Sequence, residues 1–221
     1  MGAPKADKFP LRHIAIEGPI GVGKTSLAGL LARRFSGTQI LEDVGNPFLT
    51  DFYAGKKGAA FQAQIYFLLS RYRQQREIAQ MDLFENLVLA DYTFAKDSLF
   101  ARINLKGDEL EMYYKVHEAL GEKIPKPDLI VYLRADTDVL MQRIALRDRS
   151  YERNMERSYI DQLNHAYEDF FGKPYDSTPV LTIDTNPLNI VQNPEHLKLI
   201  ESRIRHTLNL SPFQPSLPLD K

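Results

Sequence analysis

The sequence predicts a three-layer α/β fold: a five-stranded parallel sheet flanked by helices on both faces, with an arginine-rich lid. Three observations predict it. Short, nearly continuous apolar runs alternate with longer segments of helical period, as strands buried on both faces alternate with their crossover helices. A glycine-rich loop joins the first run to the first helix, and a cluster of arginines follows the fourth run. Such alternation implies right-handed crossovers and ligands beyond the carboxyl ends of the strands.

Taken in order, the strands are expected at His13–Glu17, Gln39–Glu42, Leu87–Ala90, Leu129–Leu133 and Val180–Ile183, each too short and too apolar for an exposed helix. Helices are expected at Lys24–Phe35, Gly58–Met81, Thr93–Ile103, Asp108–Gly121, Asp136–Arg147, Arg157–Phe171 and Pro194–Leu208. No linker or repeat divides the chain, so one domain is expected over 12–210, with a flexible N-terminus at 1–11 and a flexible Pro-containing tail at 211–221.

Composition narrows the function classes. The chain has 221 residues, 43% of them hydrophobic, enough to bury the core of one domain. Its 28 basic and 29 acidic residues leave a net charge of −1, which argues against a nucleic-acid or anionic-membrane partner. With no membrane-length apolar run and no signal-peptide core at the start, a cytoplasmic protein is expected. There is no cysteine, so disulfides, thiolate metal sites and cysteine nucleophiles are excluded together. The five histidines form no metal-binding spacing and read as structural or exposed.

The loop Gly18-Pro19-Ile20-Gly21-Val22-Gly23-Lys24-Thr25, followed by Ser26, matches GxxxxGK[ST] between a strand and a helix. Its glycines let backbone N–H groups turn inward around a phosphate, and the helix N-terminus adds positive potential. Lys24 is placed to reach the β- and γ-phosphates of a nucleoside triphosphate, and Thr25 to ligate Mg²⁺. This is the P-loop NTPase arrangement. The bland alternative is a glycine turn before a helix.

Phosphoryl transfer also needs a group to orient or deprotonate the attacking hydroxyl and charges to neutralise the moving phosphoryl. Two acids end strands at the ligand edge: Glu42 as proton acceptor, and Asp91 as a metal-supporting carboxylate. A helix-cap or turn role is the alternative for either. Arg143, Arg147 and Arg149 form the lid; the first two are four apart and share a helix face. They could close over the phosphoryl group, or they could be a solvated helix end.

Together these pieces resemble the deoxynucleoside kinase family, particularly its bacterial deoxyadenosine/deoxyguanosine kinase branch, from about His13 to Asn186. Beyond the P-loop, the matching stretches are Leu41-Glu42-Asp43 with Asn46-Pro47-Phe48-Leu49 and Phe52-Tyr53, then Phe61–Leu68, Pro127–Leu133, Arg147–Glu152 and Val180–Asp184. The resemblance implies that Glu42 is the base for the sugar 5′-hydroxyl, that Tyr53 and Glu152 hold the 3′-hydroxyl, and that Gln64 bonds the base edge. It places Arg71 and Asp97 as a charged pair against the base, which suits purines or cytosine better than thymine. It also implies ATP as donor, Mg²⁺ as cofactor and a homodimer.

Two departures stand out. The family usually writes an acid, then Arg, then Ser or Thr after its third strand, where this chain has Asp91-Tyr92-Thr93. Many members stack a phenylalanine on the base where this chain has Ala101, with Phe100 beside it. The reading is therefore a deoxynucleoside kinase transferring phosphate from Mg²⁺-ATP. Its rivals are a nucleoside monophosphate kinase of the thymidylate kinase type and a kinase-like subunit that binds nucleotide without turnover.

Overall fold

The computed structural model describes residues 12–80, 87–122, 124–172 and 178–210. The terminal segments expected to be flexible lie outside these residues, as does Met81 at the expected end of the second helix. The order is β1 (Arg12–Glu17), α1 (Lys24–Phe35), β2 (Thr38–Ile40), α2 (Leu49–Tyr53), α3 (Ala59–Gln80), β3 (Leu87–Ala90), α4 (Lys96–Asn104) and α5 (Gly107–Gly121). It continues with β4 (Leu129–Arg134), α6 (Thr137–Arg147), α7 (Arg157–Phe171), β5 (Val180–Asp184) and α8 (Pro194–Thr207). A 3-10 turn at Ser150–Glu152 lies between α6 and α7.

The strands form one parallel sheet in the order β2-β3-β1-β4-β5. The period of two sorts the side chains of its central strands onto two faces. Ile14, Ile16, Leu129, Val131 and Leu133 join α1, α6 and α8 residues in the larger core, whereas Ile130 and Tyr132 face Leu99, Leu163, Tyr167 and Phe171 on the opposite side. A third cluster packs α3, α4 and α5 together through Leu68, Ala101, Leu105 and Tyr113. With both faces covered, continuous apolar strands are what the sheet requires.

The structure departs from expectation in places that shape the site. The second strand, expected at Gln39–Glu42, ends at Ile40. Beyond it the backbone bonds to side chains instead of a neighbouring strand: Glu42 N–H donates to Asp91 Oδ1 at 2.7 Å, and Gln74 Nε2 donates to the Leu41 carbonyl at 2.8 Å. Leaving the ladder turns the Glu42 side chain into the space beside the sheet edge. The helix expected from Thr93 starts at Lys96, because the Thr93 N–H and hydroxyl both donate to Glu17 Oε1. The short α2, with no cap signal, is absent from the expected set.

Candidate active site

The phosphate loop follows β1, and its shape is set from outside. Gly18 has φ +146°, and a Cβ there would lie 2.3 Å from the Leu133 carbonyl oxygen of β4. Gly21 has φ +86° and is pressed against the Leu140 carbonyl and Ile144 of α6. Only glycine fits such positions. Lys24, just inside α1, folds back to donate to the carbonyls of Gly18 at 2.7 Å and Pro19 at 3.1 Å. Burial, reinforced by Lys96, brings its ammonium down to about 8 despite the attraction of Glu17, Glu42 and Asp91.

Thr25 Oγ1 donates to Asp91 Oδ2, so the first hydroxyl of α1 and the acid after β3 are joined across the strand ends. The second oxygen of Asp91 holds Glu42 by its N–H. The Glu42 carboxylate in turn is bound by Arg71 on Oε1 and by Lys96 Nζ on Oε2, the latter at 2.8 Å. Arg71 also pairs with Asp97, whose side chain is 0% exposed. Burial raises the Glu42 pKa, but Arg71, Lys96 and Lys24 together outweigh it and hold the carboxyl well below the usual range.

These groups open onto one cavity of about 230 Å³. Lys24, Thr25, Asp91 and Lys96 lie at its phosphate-loop end, and Gln64, Phe67, Arg71 and Phe100 line its wall. Tyr53, Tyr151, Glu152, Arg147 and Arg149 lie on the lid side. Gln64 and Arg71, seven apart, present one face of α3. Tyr53 stacks on Tyr151 with ring centroids 6.0 Å apart and planes 9° from parallel, tying α2 to the lid. Glu152 is buried and takes two bonds from Arg147 Nη2 at 2.7 and 2.6 Å, with Arg149 at 3.7 Å.

Arg143 is set apart from the other two lid arginines. Its guanidinium donates to the carbonyls of Val22, Thr185 and Leu188 and to Thr185 Oγ1. It straps the phosphate loop to the segment after β5 and does not line the cavity with Arg147 and Arg149. Tyr92 is fully buried, its phenol turned inward toward Gln75. Of the neighbours Phe100 and Ala101, which a helix points about 100° apart, Phe100 reaches the cavity wall, while Ala101 faces the α3–α4–α5 core.

Two groups beside the cavity escaped the sequence reading. Glu17, 0% exposed, accepts from Gly18 N–H, both Thr93 donors and Tyr167 Oη, and so braces β1, β3 and α7 against one another. Burial raises its carboxyl pKa, opposed by Lys96 and Lys24. Lys96 belongs to no motif, yet its side chain is 3% exposed. Among the described residues no group of three or more His, Cys, Asp or Glu forms a metal cluster, and no helix is long and apolar enough to cross a membrane.

The deoxynucleoside kinase family model matches residues 14–209. A deoxyguanosine kinase of Bacillus subtilis (strain 168) is 36% identical over 200 residues, spanning 88% of this chain and 97% of its own. A deoxyadenosine kinase of Dictyostelium discoideum is 35% identical over 178 residues, spanning 78% of this chain and 71% of its own. A solved structure of deoxyadenosine kinase from M. mycoides with bound dCTP matches with a TM-score of 0.75 at 25% identity. That match covers 88% of this chain and 99% of the other.

Proposed function

The chain belongs to the deoxynucleoside kinase family, and from that membership we propose that it moves the γ-phosphate of Mg²⁺-ATP to the 5′-hydroxyl of a purine deoxynucleoside, with deoxycytidine the next candidate. The observation that carries this reading is the meeting of a phosphate loop, a strand-end carboxylate and a polar wall in one cavity. Gly18–Ser26 would hold the triphosphate, with Lys24 exchanging its loop carbonyls for phosphate oxygens. The wall suits a nucleoside: Gln64 and Arg71 offer donors and acceptors to a base edge between Phe67 and Phe100, and Asp97, buried behind the wall and not lining it, holds Arg71 in place. Tyr53 and Glu152 offer polar atoms to the sugar 3′-hydroxyl.

Glu42 is proposed to accept the 5′-hydroxyl proton. Its lowered pKa makes it a weak base toward a resting alcohol, which suits a loose transition state: the hydroxyl becomes acidic only as its oxygen bonds to phosphorus, so the proton leaves late. Arg147 and Arg149 face the cavity and are proposed to neutralise the moving phosphoryl, with Arg143 steadying the phosphate loop from behind. The Thr25 hydroxyl and Asp91 carboxylate are adjacent hard oxygens and so fit Mg²⁺. Bound there, the ion would neutralise charge on the β- and γ-phosphates. A homodimer is proposed from the apolar side chains that α3 and α5 leave exposed, Leu69, Met112 and Tyr114. The composition supports a cytoplasmic enzyme with neither nucleic acid nor membrane as partner.

The test is a steady-state assay of the purified protein with Mg²⁺-ATP against the four common deoxynucleosides and their monophosphates, following ADP and product. Turnover on a purine deoxynucleoside is expected, and Glu42→Gln should lower kcat by about 10²–10⁴-fold while nucleoside binding persists. Turnover on monophosphates alone would overturn the proposal in favour of a monophosphate kinase.

A further inference from the structure

Three cations, Arg71, Lys96 and Lys24, act on Glu42, and Lys96 and Lys24 act also on the buried Glu17. Arg71 is already balanced by Asp97, Arg147 and Arg149 lie against Glu152, and Lys24 rests on loop carbonyls. Lys96 has Glu42 as its ion-pair partner, and Glu42 is shared with Arg71.

The placement of Lys96 is closely determined. Its backbone N–H bonds to Thr93 Oγ1 at 3.3 Å, and Thr93 is fastened to Glu17 at the foot of the phosphate loop. Its ammonium lies 6.0 Å from the Tyr92 ring centroid and 5.9 Å from that of Phe100, so two aromatic faces confine it. It acts electrostatically on Lys24, Glu17 and Glu42 alike. The charge therefore lies against the acid, in the same cavity as the phosphate-loop lysine.

We propose that Lys96 is a second phosphate-facing lysine, which binds an oxygen of the phosphoryl group during transfer and takes the electrostatic role that Tyr92 cannot fill. This rests on the kinase reading above. In the step, the 5′-oxygen forms a bond to the γ-phosphorus while the bond from that phosphorus to its bridging oxygen breaks. The electron pair leaves on ADP, and the hydroxyl proton passes to Glu42. Protonation removes the Glu42 charge, and Lys96, which keeps its own proton throughout, turns its hydrogen bond from Oε2 to the phosphoryl oxygen. Before transfer Lys96 keeps Glu42 ionised; during transfer it meets the charge that replaces it. Tyr92, fully buried and neutral, offers no such charge.

The experiment compares wild type, Lys96→Met and Lys96→Arg in steady-state turnover and in binding of ADP with aluminium fluoride and a deoxynucleoside as a mimic of the moving phosphoryl. Lys96→Met should lower kcat about 10²–10³-fold, as loss of one transition-state donor does, with the nucleoside KM changed by less than about threefold. It should lose affinity for the fluoride complex while keeping affinity for ADP. Lys96→Arg should recover part of the rate. If Lys96→Met does not fold, Lys96→Gln replaces it under the same criteria. Wild-type turnover with an equally active Lys96→Met, or a lost rate matched by lost nucleoside binding, would refute the role of Lys96 alone; an inactive wild type would overturn the kinase reading and this proposal together.

Discussion

Replacing Arg71 with Met would leave the Asp97 carboxylate, 0% exposed, in the interior without its cation. Breaking a buried pair from one side costs about 3–5 kcal/mol, because the stranded charge keeps its desolvation penalty and loses its attraction. For a chain of this size each kcal/mol moves the melting midpoint by about 2–4 °C, so Arg71→Met should melt about 6–20 °C lower. Glu42 keeps Lys96 and should add little to the loss. The decisive assay is a double-mutant cycle by thermal and urea unfolding with Asp97→Asn. Removing both charges should restore at least half the loss, giving a coupling energy of about 2 kcal/mol or more. An additive cycle would refute the reasoning.

Three further outcomes follow from the geometry. His13 is 5% exposed and burial pulls its pKa to about 4, so the unfolded chain binds more protons between pH 4 and 6.5. Stability should therefore rise with pH across that window, by up to about 3 kcal/mol from this group, and urea unfolding of His13→Gln should flatten the rise. Gly18→Ala forces a Cβ onto the Leu133 carbonyl, whereas a Cβ at Gly23 meets nothing within 4 Å. Gly18→Ala should lose about 3 kcal/mol or more and Gly23→Ala about 1–2, read by thermal unfolding. Because the Lys24 ammonium titrates at about 8 in the free protein, kcat/KM for the triphosphate should fall above pH 8, and Lys24→Arg should move that limb upward.

Most of the sheet was legible because a strand covered on both faces has to be apolar at nearly every position. Gln39–Glu42 was not read correctly because Leu41 looks like strand material, yet it is 38% exposed and its carbonyl belongs to Gln74. The phosphate loop was legible because its chemistry is local. Arg71 and Asp97 could be paired only through the resemblance, since nothing in their spacing brings α3 against α4. Arg143 and Arg147 do share a helix face, but one turn along α6 separates the segment after β5 from the cavity, and only the tertiary fold distinguishes them. Lys96 carried no signal because the acid that it pairs with, Glu42, lies 54 residues away. Phe100 and Ala101 are neighbours in sequence, and only the packing of α4 decides that Phe100 is the one at the wall.

The strap from Arg143 to Val22 joins positions 121 residues apart, and Gly18 and Gly21 are shaped by β4 and α6. The loop that gives the chain its clearest motif is thus synthesised early and formed late. At typical elongation rates roughly 6–24 s separate the appearance of Val22 from that of Arg143. During that interval the glycines have no walls, and their freedom favours an open coil. A nascent chain with every residue of GxxxxGK[ST] in place should therefore have no pocket for a triphosphate until β4 docks beside β1. Nucleotide then becomes a ligand of the finished sheet and not a template for it, and its stabilising effect reaches the native state without guiding the route there.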